Sequence, residues 1–415
     1  QTHDGRMAPV HTLASDVLRK IHQKATYKDL TPTQVLLGMI ADPFRWLEDD
    51  NSEETGQWVN RQNDLTYSYL DRIPYRDDIH KRLEELWNFE RYTTPQKAGD
   101  YYYFFKNNGL QNQDILYRIK DLTDNPEVVL DPNGLSEDGT VALGYYGFHK
   151  KGKYLGYQLA ESGSDWMTIY VLDLENLEKT NDKVEWVKFS SVSWKGDGFY
   201  YSRYPAPSNE GRLSGSNQSH KLYYHKLGTD QSEDELIFED PDNPQTNVYA
   251  SVIGNTRYLA IYPRGSSSGG NGLIIKNIET KENLTLVNDF ESEYSVIYNN
   301  DEELLVLTNH KAPKQKVISI NLSSPDNENW KTIVPESDDV LREVNIFGGR
   351  IFASYLHNAH SQVKVFEMDG ILVEELELPG LGDIVSFSGS SGDETMFYSF
   401  KSFISPPTVY AVNTE

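Results

Sequence analysis

The sequence has no cysteine, so disulfides, thiolate nucleophiles and cysteine-ligated metals are excluded, and cysteine usage carries no sign of the redox compartment. No apolar run approaches the roughly 20 residues that span a bilayer. Positive charge is also scarce: 39 basic against 63 acidic residues give a formal net charge of −24. Such a surface repels phosphate backbones and anionic lipid, which argues against nucleic acid and membranes as partners and leaves solubility as the reading of the acidity. No signal peptide is visible after Gln1, and prior removal of a leader stays open. The cytoplasm is the expected compartment, with periplasm or secretion as alternatives. The sequons at Asn217, Asn283 and Asn321 matter only for secretion from a eukaryotic cell.

Aromatic residues are abundant: 7 Trp, 27 Tyr and 16 Phe in 415 residues, a bias that leans towards strands. The length calls for two domains or one large repeat architecture. The first part reads helical. "HTLASDVLRKIHQKA" (His11 to Ala25) places Leu13, Val17, Leu18 and Ile21 on one stripe. "SEETGQWVNRQNDLTYSYLDRI" starts with Ser52 as an N-cap and acids in the first turn. "YRDDIHKRLEELWNF" carries Ile79, Leu83, Leu86 and Trp87 at helical spacing.

Beyond Phe89 the helical period disappears. Short aromatic or β-branched runs take over, broken by Gly, Asn, Asp and Pro. They come in pairs, starting with "DYYYFFKN" and "ILYRIKDL", then "KYLGYQLA" and "MTIYVLDL", then "DGFYYSRY" and "KLYYHKLG". The pattern continues with "RYLAIYPR" and "LIIKNIET", "ELLVLTNH" and "KVISINLS", "RIFASYLH" and "VKVFEMDG", and finally "TMFYSFKS" and "TVYAVNTE". Seven strand-turn-strand copies at intervals of roughly 45 to 60 residues mark a β-propeller. A pair of β-sandwiches would not repeat one hairpin so regularly. The expected fold is therefore mostly β: a seven-bladed propeller over residues 76–415, preceded by a helical segment over residues 1–75.

"RGSSSGGNG" (Arg264 to Gly272) contains a G-x-S-x-G match centred on Ser267, the pattern of a hydrolase nucleophile elbow. An elbow needs a strand before the serine and a helix after it. Here a strand run, "LIIKNIE", comes next, so the stretch reads as a hairpin loop. "HNAH" (His357 to His360) reads as loop histidines, without further ligands at zinc-site spacing. His225, alternating with large apolar residues, reads as a packing residue. "DPFRWLED" reads as architecture, with Phe44, Trp46 and Leu47 burying at a domain seam.

Several long blocks then identify a relationship. "ADPFRWLEDDNSEETGQWVNRQN", "NNGLQNQDILY", "LDPNGLSEDGTVAL", "ESGSDWMTIYV", "EWVKFSSVSW", "KLYYHKLGTDQSEDELI" and "FYSFKSFISPPTVY" resemble segments of prolyl oligopeptidases, in the same order, over roughly Ala41 to Glu415. The resemblance implies an α/β-hydrolase peptidase domain with a seven-bladed propeller inserted over its active site. It further implies serine-nucleophile cleavage of short peptides after proline, with no cofactor and no metal. The family's nucleophile, histidine and oxyanion tyrosine segments have no counterpart in these residues, so this chain alone is expected to be inactive. A complementary catalytic domain is the implied partner, alongside short proline-containing peptides. The alternative is a stand-alone propeller that binds peptides or proteins.

"THDGRMAPVHTLASDVL" (Thr2 to Leu18) resembles the family's D-H-D-D-R-V-x-P-x-H-S segment. The resemblance puts Asp4 on the triad aspartate, Arg6 on the arginine that holds the substrate backbone, and Met7 on a wall of the proline pocket. Gly5 and Met7 depart from the family's residues. His3 and His11 are near Asp4 only in sequence, and a triad is assembled by the fold. The resemblance also makes Phe189 an apolar wall beside the peptide, although its alternation with Val187 fits a blade core equally well. Asp165 is expected to pair with Arg6, and Ser266 to lie at the rim as a contact.

Overall fold

The computed structural model describes residues 31–414 apart from 41, 50, 138, 162, 207–216, 255–256, 266–268 and 301, together with 2–3, 6–7, 14–15, 17–18, 27 and 30. The chain divides into two compact units, Gln1–Leu83 and Glu84–Glu415.

The first unit is mainly helical. A two-stranded ribbon pairs Thr2–His3 with Arg6–Met7. The expected helix over His11 to Ala25 lies mostly outside the described residues, of which 14–15 and 17–18 are helical. Helix α1 spans Pro32–Ile40, α2 spans Glu53–Leu70, and α3, Arg76–Trp87, crosses the division between the units. The Oγ of Ser52 caps α2 by accepting the Thr55 N–H at 3.2 Å, and Glu53 and Glu54 oppose the positive end of the helix dipole. Several apolar residues of these helices are exposed: Leu65, Tyr67 and Tyr69 on α2 and Ile79 and Leu83 on α3. Phe44, expected to bury, is exposed too; the packed aromatic there is Trp46, edge-on to Trp58 at 6.3 Å.

The second unit is a β-propeller built of antiparallel sheets. Each of the seven expected hairpins forms, because two β-rich runs joined by turn residues have an antiparallel partner immediately at hand. The sheets do not divide into seven separate blades, however. Five are of blade size, covering residues 91–130, 246–287, 294–334, 340–376 and 383–413. The remaining eight strands, within residues 142–238, form one sheet. They are β1 (Ala142–Phe148), β2 (Tyr154–Ala160), β3 (Met167–Asp173), β4 (Glu178–Val187), β5 (Ser193–Lys195), β6 (Gly198–Arg203), β7 (Lys221–Lys226) and β8 (Glu235–Phe238). The fusion rests on one pairing, Val187 with Arg203, which links β4 to β6.

The cores lie between successive sheets and, within the eight-stranded sheet, between its first four and last four strands. Tyr103, Phe105 and Leu116 of the first sheet cluster with Leu155, Tyr157 and Leu172 from β2 and β3. Ile169, Val171, Val184 and Val187 from β3 and β4 cluster in turn with Trp194, Phe199 and Tyr201 from β5 and β6. The close approach in that second cluster needs glycine. Gly147 on β1 faces Gly156 on β2, its carbonyl accepts the Trp194 indole N–H at 2.7 Å, and a Cβ on it would lie 2.3 Å from the Val192 carbonyl oxygen. Gly147→Ala is therefore expected to destabilise the propeller by about 1–3 kcal/mol, the usual cost of overpacking, read as a lower urea midpoint at unchanged slope.

Candidate functional site

β4 ends at Val187, and a short loop then leads into β5. Two large side chains here sit on left-handed backbone, Trp186 at φ 61° and Phe189 at φ 53°. Such residues carry strain and persist only where their surroundings over-determine them. Buried polar groups do so here. Gln158 donates from Nε2 to the Ser190 carbonyl at 2.9 Å, and Ser190 Oγ accepts the Ser202 N–H at 2.7 Å. His220 reaches the same loop: its Nδ1 accepts the Val248 N–H at 2.9 Å, so its Nε2 carries the proton donated to the Lys188 carbonyl at 2.9 Å. Burial lowers the His220 pKa to about 4, outweighing the Lys188 carbonyl, which favours the proton.

The result is an outward-facing aromatic. Phe189 lies past the end of β4 and is 47% exposed, so it is not a blade-core residue. Its left-handed turn breaks the strand alternation that linked it to Val187. The Lys188 ammonium sits 5.4 Å from the ring centres of both Phe189 and Trp166, and 3.3 Å from the Asp165 carboxylate. Asp165 thus has Lys188 as its cation among the described residues. Trp166 packs edge-on against Trp186 at 5.9 Å and Tyr204 at 6.2 Å.

A cavity of about 530 Å³ lies further around the same unit, lined by Tyr249, Tyr262, Arg264, Asn271, Glu293 and Arg342, among others. Val248 and Asn247 connect it to the Phe189 loop, since Asn247 accepts the Tyr204 hydroxyl and pairs in register with Arg264. Arg264 is held by Glu293 at 2.8 Å. Asn271 is buried, accepting the Tyr294 N–H at 3.0 Å and donating to the Tyr294 carbonyl at 3.1 Å, which ties two neighbouring sheets.

Among the other residues singled out from the sequence, Asp4 and the stretch 266–268, with Ser266 and Ser267, lie outside the described residues. Arg6 and Met7 form one strand of the short ribbon, and only their backbone is described. The element after the Ser267 stretch is the strand Leu273–Asn277, paired antiparallel with Tyr258–Gly265, and among the described residues no helix starts there. "HNAH" is a two-residue hairpin turn: Asn358 (φ 43°) and Ala359 (φ 64°) bring His357 opposite His360, and His357 Nδ1 meets Asp339 at 2.9 Å. Lys188, Gln158, His220 and Trp166 are residues that sequence reasoning missed. Only Gln158 left a signal there, a polar residue at an apolar position of "KYLGYQLA".

Residues 19–415 match the model of the prolyl oligopeptidase N-terminal β-propeller domain, and the chain belongs to that family. It is 39% identical over 389 residues to a prolyl endopeptidase of Elizabethkingia meningoseptica, covering 93% of this chain and 55% of the relative. It is 31% identical over 428 residues to prolyl oligopeptidase A of Amanita bisporigera, covering 94% and 55%. Among solved structures, prolyl oligopeptidase B from Galerina marginata, bound to a 25mer macrocyclization substrate, superposes with a TM-score of 0.82 at 27% identity, covering 90% of this chain and 55% of that one. The chain thus spans about half the length of the relatives it matches.

Proposed function

We propose that these residues form the propeller portion of a serine peptidase that cleaves short peptides after proline, screening substrates by size above a complementary peptidase domain. The observation that carries this reading is the family match over residues 19–415, with relatives named as prolyl endopeptidases. The exposed apolar residues of α2 and α3 support it, as patches of this kind mark surfaces that another domain covers. Phe189, projected on its strained loop, serves as the apolar wall beside the peptide, with Asp165 held nearby by Lys188, and Ser266 keeps the rim-contact role the resemblance gives it. Asp4, Arg6 and Met7 keep the roles the resemblance gives them: triad carboxylate, backbone-holding guanidinium and proline-pocket wall. The eight-stranded sheet acts as two blades, β1–β4 and β5–β8, which completes a seven-bladed ring. Its single bridging pair and the packing of β3 and β4 against β5 and β6 in one cluster support that count.

By itself the chain is expected to be inactive, because hydrolysis keeps its full barrier without a nucleophile and base in one geometry. The test is turnover of a proline-containing peptide with a chromogenic leaving group by the purified chain and its Ser267→Ala variant. No release above background from either is the expected result. Turnover that disappears in Ser267→Ala would overturn both the loop reading of that serine and the division of labour proposed here.

A further inference from the structure

β4 and β7 belong to the two halves of the eight-stranded sheet and share no backbone ladder with each other. Between them lies a buried ionisable group that the peptidase reading does not use. His225 on β7 is fully buried, with Nδ1 2.7 Å from Asp234 Oδ1 and Nε2 3.2 Å from Asp182 Oδ1 on β4. Both carboxylates are met by donors at their other contacts. Asp182 Oδ1 also accepts the Gly228 N–H at 2.6 Å, and its Oδ2 accepts the Thr180 hydroxyl at 2.7 Å. Asp234 Oδ2 accepts the Tyr201 hydroxyl at 2.6 Å. A neutral imidazole has one N–H and cannot donate to both carboxylates, whereas an imidazolium can.

We propose that Asp182, His225 and Asp234 form a proton-operated clasp between the two halves of this sheet, closed while the ring carries two protons and opened on the Asp182 side when it loses one. The distances set the direction. A ring left with one proton keeps the shorter bond, to Asp234 on its own half, and gives up the longer one to Asp182.

The surroundings favour the doubly protonated ring. Burial alone would lower its pKa, but the hydrogen bonds and charges of Asp234 and Asp182 outweigh it and raise it. The groups facing the ring are Asp182 from β4, Asp234 and the more distant Asp230 from the turn before β8, Tyr201 from β6, and the Phe199 ring at 5.2 Å. Tyr201 stays a donor, since burial and Asp234 push its pKa up. Besides the Gly228 N–H on Asp182, β4 is held to the same turn at one further place. There Gln231 accepts the Glu185 N–H and donates to the Glu185 carbonyl, both at 3.0 Å. Opening the clasp therefore removes one of the ties on the strand that runs directly into the Phe189 loop, leaving the Gly228 N–H on Asp182 and the Gln231 pair on Glu185.

The test is a pH titration of the full chain from below neutrality to about pH 9, monitored by histidine-ring NMR and by hydrogen exchange of the 178–187 segment corrected for intrinsic rates. The His225 ring is expected to titrate above the free-histidine value of about 6.5. Over the same range, 178–187 should lose at least about tenfold in protection, the size of one charge-assisted hydrogen bond. In Asp182→Asn the ring should titrate lower and the pH-dependent loss should disappear. A ring that titrates at or below the free value, or protection that stays flat while it titrates, would overturn the clasp. The measurement on the unmodified chain decides this even if Asp182→Asn fails to fold.

Discussion

Phe199→Ala is expected to cost about 3–5 kcal/mol of stability, as buried phenylalanine truncations do when the site cannot collapse. Phe199 is fully buried, with ring centres 5.3 Å from Trp194, 6.0 Å from Tyr201 and 5.2 Å from His225. Those neighbours are large, rigid and anchored elsewhere: Trp194 to the Gly147 carbonyl, Tyr201 to Asp234, and His225 to both carboxylates. None is free to swing into the void. The cluster also joins β3 and β4 to β5 and β6, so the damage falls on the contact between two halves of the propeller's largest sheet. Urea unfolding of the variant should show a much lower midpoint at an unchanged slope. Phe403→Ala, at a fully exposed hairpin tip, serves as the control and should stay within about 0.5 kcal/mol. A loss below about 1 kcal/mol at Phe199 would mean that this cluster is not a close-packed core.

His220 should make the propeller acid-sensitive. The unfolded chain binds a proton on this residue near pH 6.5, the folded chain only near its lowered pKa of about 4. The group's stabilising contribution is thus fully present above 6.5 and lost as the pH falls from there towards 4, a loss of about 3 kcal/mol. The cause is mechanical as well as dielectric, since a proton on Nδ1 would meet the Val248 N–H that now points at it. Urea midpoints of the chain and of His220→Asn at pH 7, 5.5 and 4 check the expectation. The variant starts less stable at pH 7, having lost two buried hydrogen bonds, but its midpoint should fall less with acid. Equal slopes in both proteins would place the acid sensitivity elsewhere. His225, in the same half-sheet, has the opposite sign: its contribution is fully present below 6.5 and lost as the pH rises through its raised folded pKa. Two buried histidines, one with a peptide N–H aimed at its ring and one between two carboxylates, thus destabilise this region at opposite ends of the pH scale.

The hairpins were legible in the sequence because a strand pair is a local object. Short aromatic or β-branched runs such as "RYLAIYPR" and "LIIKNIET", with turn residues between them, find each other without help from distant chain. The N-cap at Ser52 was legible for the same reason, donor and acceptor lying three residues apart. The site was not. Asp165 finds Lys188, and His225 finds Asp182 43 residues away, through contacts between separate strands that leave no periodicity behind. Phe189 was misleading in a different way. A left-handed residue turned the apparent strand position outward, and no composition rule marks a phenylalanine for φ 53°. The apolar stripes of α2 and α3 were read correctly as apolar, yet their exposure is a property of what covers them.

By itself, then, the sequence determined that the chain is a propeller of repeated hairpins behind a helical segment, and that its family is that of the prolyl oligopeptidases. The first depends on turn chemistry and strand pairing between near neighbours, the second on the resemblance of ordered blocks to that family. Tertiary structure alone decided that eight strands share one sheet, that Phe189 faces outward, and that His220 is neutral while His225 lies between two carboxylates. Each of these depends on burial and on polar atoms meeting within about 3 Å, the range in which a hydrogen bond holds and a charge must find its partner.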